Sequence, residues 1–218
     1  QINPYAFAAA GGLGSWKEVA RETLLSDSST ISVTSIPDKE YYMILSDTVQ
    51  TGAGDTYIQY NGVTTATYAG RRSYNGATDT LSPSVSEFEA NNQTNGSNVL
   101  GVSYLANIAT KEKLQLGNFS SGSTAGSANA PNHSQYVMKH AQTTNPVSSY
   151  QHKGNSNFST GSEVVILGWD STDTYTTADN FWQELDDSSW SSGDSWTSGT
   201  FAAKKYLWVQ FYSKSAGG

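Results

Sequence analysis

The sequence predicts an all-β fold: a two-sheet β-sandwich, jelly-roll-like, of about eight strands. Short apolar alternations, broken by turn residues every 8–12 positions, begin at Trp16 and set the pacing of a sandwich. Aromatic residues reach 12%, with 13 Tyr and 6 Trp, whereas charged residues are only 14%. Aromatic and β-branched side chains fit a pleated, half-buried surface. No stretch shows a long helical pattern, and a chain of 218 residues is long enough to bury a real core. The Greek-key strand order is assumed with the architecture and does not come from the residues.

Taken in order, residues 1–15 read as an N-terminal arm. Its run YAFAAAGGLG is too short to cross a bilayer and lacks a basic leader, so it is neither a transmembrane helix nor an intact signal peptide. Small apolar residues of this kind suit packing along a neighbour, although such arms are as often loose. WKEVARETLL from Trp16 has some helix propensity, but Ser, Thr and Asp follow at once, and it is read as a strand. TISVTSI alternates Ile31 and Val33, with Ile36 out of phase before Pro37. EYYMILSDTV is almost continuously apolar, as expected of a central strand buried on both faces.

Asn61-Gly62 and Asn75-Gly76 each follow a strand-like run, and such dipeptides accept the positive φ that a tight hairpin needs. Residues 77–98 read as a polar loop with one helical turn around Val85 to Glu89. Strands follow in VLGVSYLANIA (99–109) and KLQLGNF (113–119), then a Gly/Ser/Ala-rich exposed loop at 120–134. QYVMKHA, VSSYQHK and SEVVILGW (162–169) supply three more strands, the last fully apolar and central. The sandwich unit is thus placed at 16–169.

Residues 170–218 read as a linker and the opening of a second, incomplete repeat, with completion of the first sandwich as the alternative. KKYLWVQFYSKSAGG at the end echoes KEYYMILSDTVQTGAG at 39–54. Upstream, Trp16-Lys-Glu18 lies 23 residues before Lys39, and Trp182-Gln-Glu184 lies 22 residues before Lys204. Period matching of this sort marks a duplicated supersecondary unit. Resemblance by composition between two strands of one sandwich is the alternative. The terminal strand at 204–213, carrying Tyr206, Trp208 and Phe211, would have an open edge, and open edges are normally covered. It is the expected assembly strand, folding back at home or adding to a neighbour's sheet.

The net charge of −7 and a pI near 4.8 exclude a nucleic-acid groove, since phosphate neutralisation needs clustered basic residues. No Lys or Arg lies between Lys39 and Arg71. With no cysteine there is neither a disulfide nor a Cys-ligated metal.

Asp170, Asp173 and Asp179 share one loop rich in oxygen donors, a composition hard cations favour, so Ca2+ is the candidate ligand. The spacing matches no EF-hand, so a solvated turn is the favoured reading and no cofactor is expected. Glu87 and Glu89 would project to one side of a strand, as an acid/base pair does on a glycosidic bond, although a loop would point them apart. His133, His140 and His152 share no metal-ligand spacing. Arg71 and Arg72 face opposite sides of a strand, one able to pair with a buried carboxylate. Tyr175, Trp190 and Trp196 are candidate aromatics for stacking on a sugar or anchoring a partner, unless they fill the core. Sequons at Asn92, Asn95, Asn118, Asn132 and Asn157 matter only where the source glycosylates.

The blocks SWKEVARETLLSDSSTISVTSIP, IQYNGVTTATYAGRRSYNG, NIATKEKLQLGN, STGSEVVILGWDSTDT, NFWQEL and AAKKYLWVQFY span residues 15–212. Together they resemble a family of virion structural proteins of tailed phages and related, often marine, viruses. In that family the unit often occurs in tandem, with F-W-x-E-L and K-K-Y-L-x-V-Q opening the next unit. The chain departs from the pattern at VTTATYAG after Asn61-Gly62, where an Asp-containing turn would be expected. The resemblance implies a non-enzymatic β-sandwich module on the virion surface, a fibre, spike or decoration protein. It implies no catalytic residues. Its expected partners are copies of itself and other virion proteins, with a host surface glycan as a further ligand. Neither nucleic acid nor membrane insertion is expected. The alternative is a carbohydrate- or receptor-binding sandwich using surface aromatics.

Overall fold

Alternating burial lays down twelve strands. They are β1 (Lys17–Thr23), β2 (Ser28–Val33), β3 (Tyr41–Val49), β4 (Gly54–Tyr60), β5 (Tyr68–Tyr74), β6 (Thr80–Val85), β7 (Phe88–Gln93), β8 (Asn98–Ala106), β9 (Lys113–Ser121), β10 (Asn132–His140), β11 (Tyr150–Phe158) and β12 (Glu163–Trp169). This computed structural model describes residues 16–93, 96–122, 126–173, 179–187, 193, 195 and 197–210. The chain forms two compact units, Trp16–Thr174 and the pair of segments Gln1–Ser15 and Tyr175–Gly218. All twelve strands belong to the first.

The strands make two antiparallel sheets, one of eight in the order β1-β12-β3-β8-β9-β10-β5-β6 and one of four in the order β2-β11-β4-β7. Four ladders nest within one another: β1 with β12, β2 with β11, β3 with β8, and β4 with β7. A long hairpin rolled around a sandwich gives this nesting, so eight strands form the jelly roll itself. The remaining four are two insertions, β5-β6 between β4 and β7 and β9-β10 between β8 and β11, and all four widen the same sheet. The total is therefore twelve strands where about eight were expected; the roll has eight and the hairpins add the rest.

Ile31 and Val33 from β2, Tyr42 and Ile44 from β3, Ile58 and Tyr60 from β4, and Val164 and Ile166 from β12 fill the core between the sheets. β7 packs across on β5 and β10, and β2 on β1 and β12. Two cross-strand glycines shape the β8–β9 part of this core. A Cβ on Gly101 would stand 2.3 Å from the Phe119 ring, and one on Gly117 would stand 2.7 Å from the Tyr136 ring. The missing side chains let both rings lie close against the sheet.

In β3 and β12 the residues that point away from this core, Met43, Leu45, Val165 and Leu167, are also buried. That is why both strands read as unbroken apolar runs. β3 is central, whereas β12 is second from the edge.

Three segments differ from expectation. Residues 77–98 hold β6 and β7 and the start of β8, with no helical turn. β6 is an edge strand containing Pro83, and β7 buries only Phe88 and Ala90 as apolar side chains, so neither carried an apolar signature. Asn61-Gly62 does form a tight turn, with φ of 52° and 63° closed by Val63 N–H to Tyr60 C=O at 3.0 Å. It does not close a hairpin, because β4 and β5 lie in different sheets. Residues 201–210 join no strand among the described residues, although their sequence resembles β3. β3 is held by ladders to β12 and β8 on its two sides, and a strand-like sequence without such neighbours has no ladder to complete.

Candidate functional site

The loop after β12 was the candidate cation site, and an ammonium group stands in it. Lys39 Nζ lies 2.8 Å from Asp170 Oδ2 and 2.8 Å from both carboxylate oxygens of Asp173. Asp170 also accepts the Glu40 N–H, and Asp173 accepts the Asp170 N–H at 2.8 Å. Glu40 in turn receives the Ser171 N–H at 2.9 Å. Of the candidate metal ligands Asp170, Asp173 and Asp179, the first two share one lysine from the entrance to β3 as their ion-pair partner. Asp179 belongs to the other compact unit. Among the described residues no group of three or more His, Asp or Glu side chains is placed to hold a metal. In the sequence Lys39 was singled out only as the head of a repeat; its distance of 131 residues from Asp170 hides the pairing.

Titratable side chains gather instead at and beside β7, the edge strand of the four-stranded sheet, with one reaching across from the other sheet. Glu87 pairs with Lys153 of β11, and Glu89 of β7 pairs with Arg72 of β5. Burial pushes the Glu89 carboxyl up despite Arg72, and the adjacent Asp55, to which it is hydrogen-bonded, pushes the same way. Asp55 accepts a 2.7 Å bond from Asn92 Nδ2. Half-buried Tyr57, its phenol raised by burial, lies beside these groups and faces Asn155 Nδ2 at 3.5 Å. The glutamates weighed as an acid/base pair are each paired with a basic residue on a different strand. Asp55 and Tyr57 went unnoticed in the sequence because nothing in GDTYIQY sets them apart from an ordinary alternating strand.

Arg71 and Arg72 diverge as expected of neighbours on a strand. Arg71 is exposed and meets Asp79 at 3.3 Å, while Arg72 is largely buried against Glu89.

The third concentration of polar chemistry is inside the roll. Gln115 Nε2 donates to Ser103 Oγ at 2.8 Å and to Tyr136 Oη at 2.7 Å, while its Oε1 accepts from the Tyr60 hydroxyl. Tyr68 Oη accepts the Tyr60 backbone N–H at 2.8 Å. Burial raises the phenols of Tyr60, Tyr136 and Tyr150 well above their ordinary value. His152 sits between the sheets, with Phe158, Phe119 and Tyr150 rings around it, and burial lowers it to about 4. His140 stacks on Tyr68 at 4.4 Å and is lowered by burial and by Lys113. These histidines are neutral core residues. His133 is exposed and contacts Asn118 Oδ1 at 3.3 Å, so the three are spread over the fold.

Of the expected aromatic ligands, Tyr175, Trp190 and Trp196 lie outside the described residues, as do Phe211 and the arm at 1–15. Tyr206 is half-buried with Lys205 Nζ 5.9 Å from its ring centroid. Trp208 is 48% exposed and meets Trp182 edge-on at 5.5 Å, and Trp182 meets Phe181 edge-on at 5.1 Å. Comparison with family models, curated proteins and solved structures gives no match.

Proposed function

We propose that this chain is a non-enzymatic virion structural protein, a fibre, spike or capsid-decoration module working in a homo-oligomeric assembly at the particle surface. The observation that carries the reading is the segment at 201–210. It has the sequence of a strand, pairs with no strand among the described residues, and exposes Leu207, Trp208 and Val209 at 53%, 48% and 72%. A monomeric protein gains nothing by holding such side chains in water, whereas a strand that adds to another chain needs them. The resemblance to virion proteins and the jelly roll, an architecture frequent in capsids, point the same way. The locked state of Glu87 and Glu89 supports a non-catalytic role.

Light scattering on the full chain and on a chain ending at residue 174 tests the assembly role. A multimer whose mass falls on truncation is expected; an unchanged multimer would remove the assembly role of the 201–210 segment, and monomers in both cases would overturn the reading. Mass spectrometry of purified particles from the source tests the location, and the chain's absence from them would remove the virion assignment.

A second reading, a glycan-binding sandwich, is favoured by half-buried Tyr57 among Asp55, Glu87, Lys153 and Asn155, because sugars are held by an aromatic face with polar side chains around it. Glycan-array binding lost in Tyr57→Ala would support it, and silence of the array would remove it.

A further inference from the structure

The outer face of the eight-stranded sheet carries an apolar row that the roll leaves uncovered. Cross-strand register aligns Leu167 of β12, Met43 of β3, Tyr104 of β8, Leu116 of β9, Val137 of β10, Arg71 of β5 and Leu81 of β6. Directly opposed residues in antiparallel strands point to the same face, so these side chains form one line across the sheet. Its first two members are buried. From Tyr104 onward the line is open: Tyr104 is 43% exposed, Leu116 and Val137 are each 50%, and Leu81 is 63%. Leu100 and Leu114 widen the patch at 50% and 56%. Monomeric proteins rarely leave so many neighbouring aliphatic side chains wet.

We infer that this face binds the same face of a second copy of the chain, in a two-fold pair of sheets. The inference rests on the homo-oligomeric role proposed above and names a surface on the sandwich itself that serves it, separate from the segment at 201–210. Two features favour a second copy over an unrelated partner.

The first is charge. Although the chain carries −7, the two charged pairs beside the open line, Arg71 with Asp79 and Lys139 with Glu112, cancel, and the carboxylate of Asp47 opposite Leu100 lies on the β3 side, away from the β9–β10 centre. An acidic protein can meet its own copy at that centre with little repulsion.

The second is self-complementarity. A two-fold axis running along the strands between β9 and β10 sets β9 over the second copy's β10, and β8 over its β5. Leu116 then meets Val137 of the second copy, and the Tyr104 ring meets Arg71 of the second copy, a cation over an aromatic face. The stem of Lys139 covers Leu114 of the second copy in the same way. Each contact occurs twice, as a two-fold interface requires.

The test is the mass of the full chain by light scattering and sedimentation over micromolar to millimolar concentrations, against the combined variant Leu116→Lys with Val137→Lys. Both positions are exposed, so unchanged circular dichroism and melting will show that the fold survives. Association in the wild type and a halved mass in the variant are expected. A variant that keeps the wild-type mass would overturn the assignment of this face while leaving the proposed assembly role intact. A wild type that stays monomeric throughout would overturn both.

A second measurement avoids added charge. The chain has no cysteine, so Leu116→Cys and Val137→Cys chains, mixed and oxidised, report the geometry directly. The mixture should form more disulfide-linked pairs than either variant alone. Equal yields in all three samples would overturn the two-fold arrangement.

Discussion

Lys39 ties the exit of the last strand to the entrance of the third: its ammonium stands 2.8 Å from Asp170 Oδ2, across 131 residues of chain. Side-chain exposures of 17% for Lys39, 22% for Asp170 and 16% for Asp173 make this a half-buried pair of contacts, partly shielded from water. Removing the cation leaves two carboxylates facing each other. Lys39→Met should therefore cost about 2 kcal/mol in denaturant unfolding. Adding Asp173→Asn to that variant should restore part of the loss, and a purely additive pair of effects would show that the cluster is not coupled. Calcium or a chelator should leave the wild-type melting temperature unchanged, whereas a rise with calcium would return the loop to cation binding.

The core histidine sets a pH window. His152 has its ordinary value near 6.5 in the unfolded chain and about 4 in the fold. Between those values the unfolded chain takes up a proton that the fold refuses, so stability falls as pH drops from about 6.5 to about 4, by roughly 3 kcal/mol at most. Above that window His152 contributes no slope. His140, also lowered, acts with the same sign. Denaturant midpoints measured across pH 4 to 8 should bend downward on the acid side. His152→Phe, though less stable at neutral pH, should flatten that bend. An equally steep fall in the variant would place the effect elsewhere.

Glycine at 101 is a packing requirement. An alanine Cβ there would stand 2.3 Å from both Phe119 Cε1 and Ser46 Oγ. Gly101→Ala should destabilise by about 2 kcal/mol through displacement of the Phe119 ring. Adding Phe119→Leu should make the alanine better tolerated than it is beside the native ring. The same alanine at Gly122, where no atom lies within 4 Å of the added Cβ, should be close to neutral.

Asn61 does two jobs that substitution can separate. Its backbone holds φ of 52°, while its Oδ1 accepts the Ser148 and Ser149 N–H groups and its Nδ2 donates to Pro146 C=O. Asn61→Gly keeps the backbone freedom and loses the bonds, costing about 1 kcal/mol. Asn61→Ala loses both and should cost about 1 kcal/mol more. Equal melting temperatures for the two variants would mean that the left-handed backbone carries no strain here.

Much of the sandwich was legible because its strands bury side chains in a fixed period. LGVSYLA and KLQLGNF alternate residue by residue, and β3 and β12 read as apolar runs because both of their faces are buried. β6 and β7 were hidden because an edge strand with Pro83 and a strand with only Phe88 and Ala90 buried look like a polar loop. The candidate sites were less legible. Lys39 and Asp170, or Arg72 and Glu89, meet through the nesting of the roll, and no local spacing announces a partner that topology brings from far along the chain. The apolar row from Tyr104 to Leu81 was invisible for the same reason. Each strand shows only one or two outward aliphatic residues, and the register of five strands is needed to see that they line up.

The first and last strands of the roll lie side by side, with Lys17 registered against Gly168 at the end where the chain enters and leaves. A pull applied between those two points meets the ladder from its open end, so its hydrogen bonds take the load one at a time. Lys39 anchors the chain just beyond β12, whereas β1 is an edge strand with one neighbour. Pulling on those two points in single-molecule force spectroscopy should therefore peel β1 first, lengthening the module while the other eleven strands stay folded. A module linked to others in series would thus yield at a defined strand before its core is threatened, a mechanical fuse written into the order of the sheet.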